Sequence, residues 1–166
     1  MPTLIIYDSL YGNTEKIAQA IGQALGAHVL KTSTDELNDL NILNNSNLLI
    51  IGTPTHGGRP SQLMKHFLTK VSVSVFDGKR VAVFDTSIPP EGQNWFIRLV
   101  VKFFGYASKK LAAKLKAKGA NVIAAETFFV LGREGPLKEG ELERAKSWAN
   151  KLFPLNKKLY DFANDN

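Results

Sequence analysis

The feature that most constrains this chain is a repeated alternation. Short apolar runs rich in β-branched residues are separated by longer segments with helical spacing. Residues 3–7 (TLIIY) form such a run and stop at a polar loop, the pattern of a buried strand. Residues 13–25 follow, with Ile17, Ala18, Ile21 and Leu25 at helical spacing; Asn13 or Thr14 can cap this helix and Gly26 can end it. Residues 28–31 read as a weaker second strand. The Asn- and Asp-rich stretch 34–47 carries Leu37, Leu40 and Leu43 at the spacing of a short irregular helix. Residues 47–52 (NLLIIG) are a third strand, and 60–70 a helix with Pro60 in its first turn. Residues 80–85 (RVAVFD) are a fourth strand, 95–118 helix with a break at Gly105, and 121–131 a long fifth strand. The last helix spans 137–152, with Leu142, Ala145, Trp148, Ala149 and Leu152 on one face.

Strands that are apolar throughout, each followed by a helix, call for a parallel sheet covered on both faces, joined by right-handed crossovers. The expected class is therefore α/β. A length of 166 residues suits one domain over residues 1–154, followed by a polar tail at 155–166.

In an open parallel sheet the ligand lies outside the carboxyl ends of the strands. Three loops follow strands one, three and four: DSLYGNTE (8–15), TPTHGGRPSQ (53–62) and DTSIPPEGQNW (85–95). In the first, Ser9, Tyr11, Asn13 and Thr14 bring polar side chains and Gly12 permits a tight turn. The helix that starts there aims its free N–H groups and positive dipole end into the loop, a ready phosphate site. The loop has neither the lysine of GxxxxGK[ST] nor a GxGxxG, which speaks against a nucleotide triphosphatase and the usual dinucleotide fingerprint. In the second loop Thr53 and Thr55 offer hydroxyls, Gly57 and Gly58 let backbone approach a flat ligand, and His56 can cover a ring. The third adds Asp85, Thr86, Ser87 and Trp95; the tryptophan suits ligand stacking, core packing or a hydrophobic lid equally.

The segments IIYDSLYGNTEKIAQAI and IIGTPTHGGRPSQLMKHFL, at their separation in the chain, resemble the phosphate-loop and second flavin-loop segments of flavodoxins, and RVAVFDT stands in the place of the fourth strand. The resemblance runs over about residues 3–152. It implies a doubly wound, three-layer αβα domain with five parallel strands in the order 2-1-3-4-5 and FMN at the switch point, an arrangement for which flavodoxin is the type example. Carried over residue by residue, Ser9, Leu10, Tyr11, Gly12, Asn13 and Thr14 would hold the phosphate. Thr53, Pro54, Thr55, His56, Gly57 and Gly58 would border the isoalloxazine on one side, and Asp85, Thr86 and Ser87 on the other. No catalytic side chain and no metal ligand is implied. Three departures stand out. Tyr11 replaces the usual threonine. The third loop lacks the familiar stacking tyrosine, which leaves Trp95 or His56 for that place. Residues 89–110 form a basic, amphipathic insert.

Charge bears on partners. Lys plus Arg is 21 and Asp plus Glu is 15, a net +6. Between Glu91 and Glu126 there is no acidic residue, while Arg98, Lys102, Lys109, Lys110, Lys114, Lys116 and Lys118 fall there. The rest of the chain is close to neutral. A basic face is expected, rather than affinity for nucleic acid. A redox partner protein with an acidic docking face fits this charge, and a membrane-surface contact through 95–118 is the competing reading, set against a solvated helix face. With no cysteine, disulfides, thiolate metal sites and cysteine nucleophiles are excluded. The absence of a signal-peptide pattern and of 18 consecutive apolar residues places the expected location in the cytoplasm, or peripheral to a membrane. The function expected is an FMN-binding electron carrier between partner proteins. The alternatives are an FMN-dependent NAD(P)H or quinone-type reductase and a non-redox binding module of the same fold.

Overall fold

The computed structural model describes residues 2–91, 95 and 106–153. The inserted helix expected at 95–105 and the tail 155–166 lie outside the described residues, apart from Trp95 itself.

Among the described residues six strands are formed: β1 (Thr3–Tyr7), β2 (His28–Lys31), β3 (Leu48–His56), β4 (Arg59–Pro60), β5 (Arg80–Ser87) and β6 (Asn121–Phe129). The helices are α1 (Asn13–Leu25), α2 (Leu40–Asn44), α3 (Gln62–Lys70), α4 (Val73–Phe76), α5 (Ala107–Ala117) and α6 (Glu141–Leu152), with a 3-10 turn at Asp35–Asn38. Five strands pair in parallel in the order β2-β1-β3-β5-β6, and the two-residue β4 pairs antiparallel with the end of β3. Counting the five parallel strands in chain order, this is 2-1-3-4-5, the order the resemblance implies.

Strand alternation divides the core in two. Leu4 and Ile6, Leu49 and Ile51, Val81 and Val83 face one layer, made by Met64, Phe67 and Leu68 of α3, Phe76 of α4, and Leu111 and Leu115 of α5. Ile5 and Tyr7, Leu48 and Ile50, Ala82 and Phe84 face the other, made by Ile17 and Ile21 of α1 and by Ala145, Trp148 and Ala149 of α6. In that second layer Phe84, Phe128 and Trp148 meet edge to face, with centroids 5.9–6.4 Å apart. Gly52 makes room for this cluster: a Cβ there would fall 2.1 Å from the Phe84 ring.

Several local expectations are corrected. Pro60 belongs to β4; Ser61 caps α3 behind it, its Oγ accepting from the Met64 amide at 3.0 Å. On α6, Leu142 is 41% exposed, whereas Glu141 is buried. The Glu141 carboxylate accepts from the Phe129 amide at 2.8 Å and pairs with Arg144, which also bonds Glu126 at 3.1 Å and lies 4.5 Å over the Phe128 ring. A helix-period pattern shows which residues share a face, but this polar clamp on the outer strand β6 decides how α6 is turned. On α5, Lys109, Lys114 and Lys116 are exposed, and Lys118 donates to the Val71 carbonyl at 3.3 Å. Among the described residues, no helix is long and apolar enough to cross a membrane.

Candidate functional site

A cleft opens at the carboxyl ends of β1, β3, β5 and β6, where the switch-point rule puts it. Ser9, Leu10, Tyr11, Asn13 and Thr14 line one wall, Pro54, Thr55 and His56 a second, and Thr86, Ser87 and Ile88 a third. The structure thus brings together residues from all three expected loops, 30 to 79 positions apart from one loop to another.

At the end of β1 the chain turns through Gly12, whose φ of +83° is a left-handed conformation, and enters α1 directly. Neither Asn13 nor Thr14 caps the helix, contrary to the sequence expectation. Both are buried inside its first turn, and among the described residues no side chain caps its N-terminus. The free N–H groups and the positive dipole end therefore remain available to an anion. The two helical residues are fixed from outside. Thr14 Oγ1 lies 2.8 Å from Thr86 Oγ1, and Asn13 Nδ2 donates to the Glu134 carbonyl at 2.9 Å. Beside them the buried Ser9 Oγ has no hydrogen-bond partner among the described residues. A buried hydroxyl without a partner is costly, and a ligand oxygen at this place would satisfy it.

The second wall ends in a tight hairpin. Thr55 pairs with Pro60 and His56 with Arg59, so Gly57 and Gly58 form a two-residue turn. Their φ values of +55° and +70° meet the requirement of a type I′ turn at both central positions. The glycine pair thus serves the turn that holds His56 at the cleft edge; neither glycine lines the cleft. Thr53 is fully buried and accepts from the Ser61 amide at 3.1 Å, so it joins β3 to the start of α3 instead of facing the cleft.

Asp85 is placed otherwise than expected. Its side chain is fully buried away from the cleft, accepting from Thr127 Oγ1 at 2.7 Å and from the Thr55 hydroxyl. Ser108, in the first turn of α5, also bonds it, and the Ala107 amide donates to Thr55 Oγ1 at 3.2 Å. Asp85 and Thr55 together receive the N-terminus of α5, where a carboxylate is favoured by the helix dipole. Burial pushes the Asp85 carboxyl above its ordinary range, opposed by the hydroxyls of Thr55, Thr127 and Ser108. Trp95 is 75% exposed and does not line the cleft. His56 and Tyr11 are the ring-bearing side chains that do, among the described residues.

Behind the second wall lies Asp8, 2% exposed, whose Oδ1 has no hydrogen-bond partner among the described residues. Burial raises its pKa, against the hydroxyls of Ser61 and Thr53 and the nearby His56. Four lining residues were not anticipated from the sequence: Ile88, Val130, Gly132 and Arg133. The last three belong to the loop VLGREGP after β6. The same rule that singled out the loops after three strands reaches this fourth one, whose glycines and arginine were its only local signal.

The comparisons with known proteins agree with this architecture. The family model described as Flavodoxin matches residues 5–148. No curated protein matches the chain. A solved flavodoxin from the domain Archaea is 18% identical with a TM-score of 0.67, over 92% of this chain and 96% of its own. Oxidised flavodoxin 1 from Bacillus cereus is 18% identical with a TM-score of 0.65, over 91% and 96%. General stress protein 14 from Treponema denticola, solved in complex with FMN, is 14% identical with a TM-score of 0.64, over 92% and 100%.

Proposed function

The chain belongs to the flavodoxin family, and on that premise we propose that it binds FMN in the cleft and carries electrons between partner proteins. The observation that supports the cofactor is the start of α1. It combines a helix N-terminus without a side-chain cap, a left-handed glycine and a buried Ser9 hydroxyl with no partner among the described residues, a donor set that suits a phosphate monoester. The residues that would hold the phosphate are Ser9, Asn13, Thr14 and the backbone of 10–14. Pro54, Thr55 and His56 on one side and Thr86, Ser87 and Ile88 on the other would border the ring. FMN, when bound, supplies the electron chemistry; the protein orients it and sets its surroundings.

The carrier reading rests on what lines the cleft. Among the described residues no carboxylate lines it, so the cleft offers no acidic side chain to a substrate beside the flavin. Charge supports the choice of partner: Arg59 and Lys65 line the hollow next to the cleft, together with the exposed Leu10 and Leu63. A partner with an acidic face and an apolar centre matches this surface. The test is the visible spectrum of the purified protein, with chromatography of any released flavin, followed by anaerobic mixing with NADH and NADPH. Released FMN with no nicotinamide oxidation is the expected result. A protein that stays colourless and takes up no added FMN refutes the cofactor; rapid oxidation of NAD(P)H by the loaded protein refutes the carrier role and leaves a reductase.

A further inference from the structure

Resting on the FMN reading, we propose that Arg133, on the loop after β6, is the cationic contact that selects the phosphorylated flavin. None of the phosphate-binding residues expected from the sequence, Ser9 to Thr14, carries a positive charge. A phosphate monoester brings about −1.5 to −2. Helix N–H groups answer part of that charge, and Arg133 supplies the rest.

The loop is built to hold the arginine there. Its ends are tied by the Val130 amide to the Ser87 carbonyl at 2.9 Å and by the Leu131 amide to the Pro136 carbonyl at 2.8 Å. Its middle is closed by the Gly135 amide on the Gly132 carbonyl at 3.2 Å. The loop is then clamped to the first residue of α1, through Asn13 Nδ2 on the Glu134 carbonyl at 2.9 Å. Gly135 packs so closely on Asn13 that a Cβ would meet its side-chain atoms at 2.7–3.1 Å. Arg133 is therefore one residue away from a direct contact with the helix terminus where the phosphate would sit. It lines the cleft, and no ion pair to it is formed among the described residues. The carboxylate in the first turn of α1, Glu15, lines a separate groove with Lys16 and Lys146 and interacts with the Tyr7 hydroxyl, whose pKa is pushed up to about 12 chiefly by burial. It does not occupy the arginine. A guanidinium also suits a phosphate better than a point charge does, since it offers paired donors in a plane.

The experiment titrates apoprotein with FMN and with riboflavin, following quenching of flavin fluorescence, for the wild type, Arg133→Gln and Arg133→Lys, at low and high salt. Arg133→Gln is expected to weaken FMN about tenfold to a hundredfold. It should leave riboflavin within about twofold and flatten the salt dependence of FMN binding; Arg133→Lys should recover part of the loss. Equal weakening of both flavins, or no change in FMN affinity, overturns the proposal. Because Arg133 is exposed, the variants should keep the wild-type melting temperature, and a drop in it alongside equal losses also counts against a phosphate role. If the wild type binds neither flavin, the cofactor reading itself fails, which these titrations separate from failure of the arginine assignment alone.

Discussion

Thr14 on α1 and Thr86 on β5 meet hydroxyl to hydroxyl at 2.8 Å, both buried, joining two walls of the cleft across 72 positions of sequence. The contact orders the first turn of α1 against the sheet. Replacing either threonine by valine keeps the shape and leaves the other hydroxyl unpaired, at about 1–3 kcal/mol. The double variant Thr14→Val/Thr86→Val leaves none unpaired, so its loss should be well below the sum of the two. Urea unfolding of the four proteins checks this; additive losses would show that the pair is not coupled.

Asp85 should make stability fall as pH rises. Its carboxyl is raised in the folded protein, chiefly by burial. Below the unfolded pKa both states hold the proton and nothing is lost. Between the unfolded and the raised folded value the native state keeps a proton that the unfolded chain releases, so each increment of pH favours unfolding. Asp85→Asn removes this term. Its stability relative to the wild type should therefore improve as pH rises from about 4 toward neutrality, on top of a constant loss at the start of α5. Unfolding midpoints of both proteins across that range are the measurement, and a gap that does not change with pH contradicts it.

Gly52 and Phe84 form a second coupled pair. Gly52→Ala drives a methyl into the Phe84 ring, which the edge-to-face contacts with Phe128 and Trp148 hold in place. Overpacking of this kind should destabilise by about 1–3 kcal/mol. Shortening the ring as well, in Gly52→Ala/Phe84→Leu, should lose less than the two single changes together. Thermal unfolding of the set decides it, and strict additivity would place the strain elsewhere.

Lys79 reaches under α2. Its Nζ donates to the carbonyls of Leu43 at 2.8 Å, Asn44 at 3.0 Å and Ser46 at 2.8 Å, closing the end of a five-residue helix that has little stability of its own. Burial lowers the pKa of the amine, but the three acceptors keep it a donor. Lys79→Met keeps the stem and removes the donors, so it should cost about 1–3 kcal/mol and speed amide exchange in 40–46 ahead of the rest of the chain. Unchanged exchange there would remove the lysine from this role.

Much of the architecture was legible in the chain because it is local. The period-2 strands put Leu4 and Ile6 on one face and Ile5 and Tyr7 on the other, and the period of α1 and its closing Gly26 gave its limits to the residue. The loop pattern DSLYGNTE and the paired glycines of THGGRP pointed to the cleft, though the glycines turned out to shape a hairpin. β3 runs four residues and β5 two residues past the expected ends, since strand ends are set by their neighbours in the sheet, and α6 starts four residues later than expected.

The sequence by itself determined the elements, the two-faced sheet and the polar loops at its carboxyl edge, for each follows from the spacing of side chains within one segment. Only the tertiary structure decided where single side chains go at that edge. Asp85 turns away from the cleft because α5 presents its N-terminus to it from 22 residues downstream. Arg133 enters the cleft because β6 lies beside β5 and its loop is bonded to Asn13, 121 positions from Glu134. Both depend on which strands are neighbours and on what unsatisfied polar groups they bring together, and no periodicity within a segment carries that information.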